Sequence, residues 1–146
     1  MTAKLHATAG GCALALIAGF WGATAISELS GDPEAVRAVK RGILWGMAVL
    51  IPCLMATAFS GSRLARGASA PLIVRKRRRM RIVALNGFLL LPSALFLAFK
   101  AEAGAFDTAF IVVQAIELLA GGLNMSLMAL NLRDGLALRV RAPLSV

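Results

Sequence analysis

TAFIVVQAIELLAGGLNMSLMALNL, Thr108 to Leu132, contains one ionisable residue, Glu117, in an otherwise uncharged run. About 20 apolar residues in helical form cross roughly 30 Å of hydrocarbon, so the segment is long enough to span a membrane. At helical spacing Gln114, Glu117, Gly121, Asn124, Met128 and Asn131 share one stripe, while Ile, Val, Leu and Ala occupy the other faces. A stripe of that kind is expected to face protein rather than lipid. A carboxylate at bilayer depth costs about 2.5–3.5 kcal/mol on insertion scales, which makes Glu117 a candidate site residue.

Three further stretches, about 7–27, 42–62 and 82–99, have comparable length and apolarity. The chain is 59% hydrophobic with a mean hydropathy of +0.79, against about 45–50% apolar residues in soluble domains. The expected architecture is therefore an all-α integral membrane protein, a bundle of four transmembrane helices forming a single membrane domain over residues 1–146.

The net charge of +9 is unevenly placed: eight of the sixteen Lys and Arg residues fall in the segment 63–81, expected to be a basic loop. By the positive-inside rule that loop is cytoplasmic, so four spans place both termini in the cytoplasm as well. This is the pattern of a multi-pass protein of a bacterial inner (plasma) membrane. The other two connections mix Glu28, Asp32 and Glu34 with Arg37, Lys40 and Arg41, and Lys100 with Glu102 and Asp107. Ala23-Thr24-Ala25 has the form of a signal-peptide cleavage site, but removing the first span would separate the basic loop from the C-terminus, so helix one is read as retained.

Local signals give further expectations. Gly11, Ala15, Gly19, Ala23 and Ser27 repeat every fourth residue, a small-residue face suited to close helix packing. Asp32 and Pro33 form a helix start. A short amphipathic turn is expected next, with Val36 and Val39 toward the membrane surface and Arg37, Lys40 and Arg41 toward water. Helix two is then expected from Gly42, with a Gly-x-x-x-Gly step to Gly46 and a kink near Pro52. Gly135 suits the position just past the end of helix four. Cys12 and Cys53 lack metal or redox spacing and read as buried apolar thiols.

Counting residues along helices three and four puts Glu117 near the midplane, level with Ser93, and Asn86 near Asn124. The candidate intramembrane site is thus Glu117, Gln114, Asn124, Asn86, Ser93 and Asn131. Interhelical hydrogen bonding of such groups contributes about 0.6 kcal/mol each, and polar glue is the plainest role for them. His6, the only histidine, lies at a depth similar to Met128; a haem iron can take His with Met as axial ligands, and four-helix membrane bundles are common hosts for haem b. Arg75, Lys76, Arg77, Arg78, Arg79 and Arg81 abut a span without interleaved aromatic residues, which points to anionic lipid headgroups rather than nucleic acid.

No Gly-rich phosphate loop, Ser/His/Asp set or His/Cys metal spacing occurs in the chain. The sequence favours a non-enzymatic accessory, scaffold or assembly subunit that joins a second copy or another membrane protein. Two other readings are a haem- or quinone-binding protein using His6 and the Asn/Glu pocket, and a small proton- or ion-coupled transporter or channel using Glu117.

Overall fold

The computed structural model describes residues 2–66 and 70–141, with side chains to Ala137. Among these residues there are four α-helices and no strands: α1 Thr2–Ser30, α2 Pro33–Leu64, α3 Pro71–Glu102 and α4 Thr108–Arg141. All four are long and apolar enough to cross a membrane, the architecture of a multi-pass membrane protein.

The helices form a closed ring in which α1 packs on α2 and α4, and α3 packs on α2 and α4. The diagonals are therefore α1 to α3 and α2 to α4. Ala13, Ile17, Leu50, Val83 and Met128, drawn from all four helices, make the central core. Val36, Leu97, Ala101 and Phe110 make a second core nearer the 31–32 turn and the 103–107 loop, where Phe106 meets the edge of Phe110 at 5.0 Å between ring centroids. Trp45, Phe88, Leu119 and Phe99 point outward and are strongly exposed, as lipid-facing residues are.

Each helix overruns its apolar run, and this corrects several expectations. α2 starts at Pro33, not Gly42: Asp32 accepts the Glu34 backbone N–H at 3.0 Å and Pro33 takes the first turn. Val36, Lys40, Ile43 and Leu50 then share a buried face, so no separate surface turn forms and Lys40 points inward. The block 75–79 is not loop but the second and third turns of α3, because Pro71 starts that helix and Arg and Lys are good helix formers. Residues 67–69 of the expected basic loop lie outside the described residues. α4 runs past Gly135, so that glycine is not a helix stop.

The packing face of α1 also differs. Ala9, Ala13, Ile17, Thr24 and Ser27 are buried, whereas Ala15 and Gly19 are exposed and nothing approaches Gly11 or Gly19. Ile17, with the partly buried Leu14 and Phe20, supplies the apolar contacts of α1 to the central core. Of the two glycines of the Gly-x-x-x-Gly step, Gly42 meets open space, while Gly46 receives the Phe20 ring so closely that a Cβ would stand 2.4 Å from it.

Candidate functional site

Lys40 lies seven residues past the start of α2 and Glu117 nine past the start of α4. At 1.5 Å per residue these are about 10–14 Å along helices entering from the same end. Their side chains meet: Lys40 Nζ donates to Glu117 Oε2 at 2.6 Å, with 1% and 13% of the two side chains exposed. Glu117 is thus held in the half of the bundle nearer the 31–32 turn. Gln114, one turn earlier on α4, donates Nε2 to the same carboxylate oxygen at 3.2 Å. Glu28, two residues before the α1 C-terminus, is close enough to interact electrostatically with both Lys40 and Glu117.

Two charges taken from water are tolerable only when they face each other and their remaining hydrogen-bonding groups are met. Here the Lys40–Glu117 pair is short, but Glu28 Oε1 and Gln114 Oε1 are buried without a partner. Beside the pair is a cavity of about 80 Å³, bounded by Glu117, Thr24, Phe20, Trp21, Ile43 and Met47 among others. Trp21 donates Nε1–H to the Leu118 carbonyl at 2.9 Å, and Gly121 makes room for its ring. Pockets that bury drug-sized ligands run to about 300–1,000 Å³, so this one, lined mostly by apolar side chains, has room for a small apolar group.

Of the other expected site residues, Asn86 Nδ2 donates to Asn124 Oδ1 at 3.0 Å and ties α3 to α4. Ser93 turns its hydroxyl back to the Leu89 carbonyl at 2.8 Å and does not join the Glu117 cluster. Asn131 accepts from Arg79 Nη1 at 3.4 Å.

His6 and Met128 have different surroundings. His6 Nδ1 lies 3.1 Å from the Thr57 carbonyl and 3.2 Å from Ser60 Oγ, and Gly61 leaves room for the ring. Met128 lies in the central core with Ala13, Ile17, Leu50 and Val83. Among the described residues no three of His, Cys, Asp and Glu group as metal ligands.

The basic block divides. Arg79 and Arg75 donate to Asp134 Oδ2 at 2.7 and 3.3 Å, and Arg77 to the Ala65 carbonyl at 2.8 Å. Arg78 and Arg81 are exposed, and Lys76 is half-buried. Arg79 is therefore a bundle residue more than a surface one, its side chain only 15% exposed.

Sequence reading missed Lys40, Asp134 and the meeting of Cys12 with Cys53. Lys40, four residues after Val36 and three before Ile43, falls on the face that Val36, Ile43 and Leu50 repeat every seven residues, and Asp134 continues the polar stripe from Asn131 by three residues. Those periodicities carried the signal for both. Cys12 and Cys53 line one groove between α1 and α2, a juxtaposition that no spacing in one chain announces. Cys12 is exposed on that face, not buried. No protein-family model, curated protein or solved structure matches the chain.

Proposed function

We propose that the chain is a non-enzymatic accessory or assembly subunit of a membrane complex, held as a rigid four-helix body in a bacterial inner membrane with both termini in the cytoplasm. The single observation that carries this reading is the Lys40–Glu117 pair, which neutralises the carboxylate expected to be the working group and spends it on joining α2 to α4. The small adjacent cavity adds support, since it falls well below the volume of a cofactor pocket. The orientation rests on the positive-inside rule, and anionic lipid is the expected companion of the basic block. A second copy or another membrane protein is the partner class, met through the apolar outer faces.

A second reading is favoured by one observation. Glu28 and Glu117 against Lys40 leave one negative charge in excess, next to a cavity and two unpartnered oxygens, an arrangement suited to taking up a proton or small cation in coupled transport.

The experiment is reconstitution of the purified chain in liposomes with an imposed pH or sodium gradient. Flux no greater than in protein-free liposomes, together with a discrete assembly well above 15.3 kDa on mild extraction from its own membrane, is the expected result. Flux that disappears in a folded Glu117→Gln variant overturns the accessory reading in favour of transport.

A further inference from the structure

At the end of the bundle away from Lys40, hydrogen-bond donors outnumber acceptors. Asp134, whose side chain is 6% exposed, accepts from Arg79 and Arg75 and has Arg133 Nε 3.8 Å from its other oxygen. One carboxylate thus serves three guanidinium groups. Lys76, on the turn between Arg75 and Arg79, lies half-buried against α4, its Nζ 3.1 Å from where a Cβ on Gly135 would stand. No hydrogen bond or ion pair of Lys76 occurs among the described residues. One turn away on the same face of α4, the buried Asn131 gives Oδ1 to Arg79, which fixes its amide and leaves Nδ2 without an acceptor.

The seam therefore presents an ammonium, a guanidinium with donors to spare and an amide N–H, while Asp134, its only carboxylate among the described residues, is already engaged. Arg75, Lys76 and Arg79 against Asp134 leave two positive charges in excess. A water would meet one donor but none of the charge. What satisfies both is an anion with several acceptor oxygens, and basic pockets between helices at a membrane boundary recognise phosphate headgroups on this principle.

We propose that the α3–α4 seam around Lys76, Arg75 and Asn131 binds one phosphate group, presented by an anionic phospholipid or free in solution. The proposal rests on the membrane placement put forward above and goes beyond diffuse attraction to the basic block, because it assigns a fixed position to the anion. Lys76 supplies the point charge, Arg75 a fork of donors, and Asn131 the neutral donor that an oxygen completes. Gly135 is the residue that lets the ammonium lie against the α4 backbone.

The test measures binding of phosphatidylglycerol, with phosphatidylcholine as the control, to the purified full-length chain in mild detergent, and then competition by inorganic phosphate. Lys76→Gln and Gly135→Leu are expected to weaken binding at least tenfold each. Arg78→Gln, an exposed member of the block, is expected to weaken it about fivefold or less, the share of a single surface charge. Gly135→Leu is decisive because its side chain fills the space in which the ammonium lies without changing charge, and Leu is the better helix former, so folding is retained even if Lys76→Gln misfolds. Competition by inorganic phosphate assigns the site to the phosphate itself; lipid binding without competition assigns it to the phospholipid headgroup. Equal losses for Lys76→Gln and Arg78→Gln with none for Gly135→Leu overturn the site while leaving diffuse lipid attraction standing. Absence of binding by either probe overturns both.

Discussion

Lys40 Nζ and Glu117 Oε2, 2.6 Å apart, join the two helices that lie across the diagonal of the ring. Neighbouring helices pack directly on each other, whereas α2 and α4 face each other through the interior. Removing one member leaves the other buried and uncompensated, which in buried pairs costs about 3–5 kcal/mol; replacing both with apolar residues of similar volume is often close to neutral. Lys40→Met is accordingly expected to lower stability by that amount and Lys40→Met/Glu117→Leu to recover most of it, read by denaturant unfolding in detergent. Additive losses in the double variant would show that the two residues do not act as a pair.

The approach of α1 to α2 hinges on Gly46. A Cβ there would stand 2.4 and 2.7 Å from ring atoms of Phe20, far inside contact distance. Gly46→Ala must therefore push the ring aside, an overpacking change that typically costs about 1–3 kcal/mol. Phe20→Leu in the same chain is expected to restore thermal stability toward wild type. If Gly46→Ala alone matches wild type, the close approach is not a constraint on the bundle.

Much of the architecture was legible because membrane spans announce themselves by length and apolarity, and the α4 polar stripe by its period. Gln114, Asn124, Met128 and Asn131 are all buried as a face turned to protein should be. The helix ends were harder. Lys40 and Arg79 look like boundary charges in sequence, since the rule that charges flank spans says nothing about which flanking charge folds inward. The answer depends on a partner from another helix, Glu117 for one and Asp134 for the other. A carboxylate far along the chain, with no fixed spacing, leaves no local trace at the lysine or arginine it will meet.

At the loop joining α3 to α4, Asp107 binds Lys100 Nζ at 2.5 Å and accepts the Phe110 backbone N–H at 3.0 Å, capping α4. The Lys100 ammonium first, and then the Phe110 N–H, hold its carboxyl below the usual carboxylate range. A group whose folded value is depressed contributes stability that is fully present above its unfolded value, about pH 4, and lost as pH falls through the lower folded value. Asp107→Asn keeps a capping side chain but removes that titration. Its melting temperature should therefore fall less than that of wild type between about pH 5 and pH 2. Parallel curves would mean that Asp107 has no share in the acid limb.

Cys12 on α1 and Cys53 on α2 line one open groove together with Thr8 and Pro52. A disulfide forms without backbone movement only when two Cβ atoms approach to about 3.5–4.5 Å, so oxidation reports directly on how α1 and α2 face each other. Joining the two sulfurs releases two electrons and two protons; an added oxidant, a copper–phenanthroline complex with oxygen, accepts the electrons, and the protons go to water or the reduced oxygen. Treated in detergent, the chain is expected to lose both free thiols and about 2 mass units within one polypeptide, with no such loss in Cys12→Ser or Cys53→Ser. Crosslinking between two chains instead would place the thiols on separate faces and contradict the α1–α2 register. Because the pair lies on the side of α1 and α2 away from Glu117, closing the bond should leave the Lys40–Glu117 pair and the behaviour of its variants unchanged.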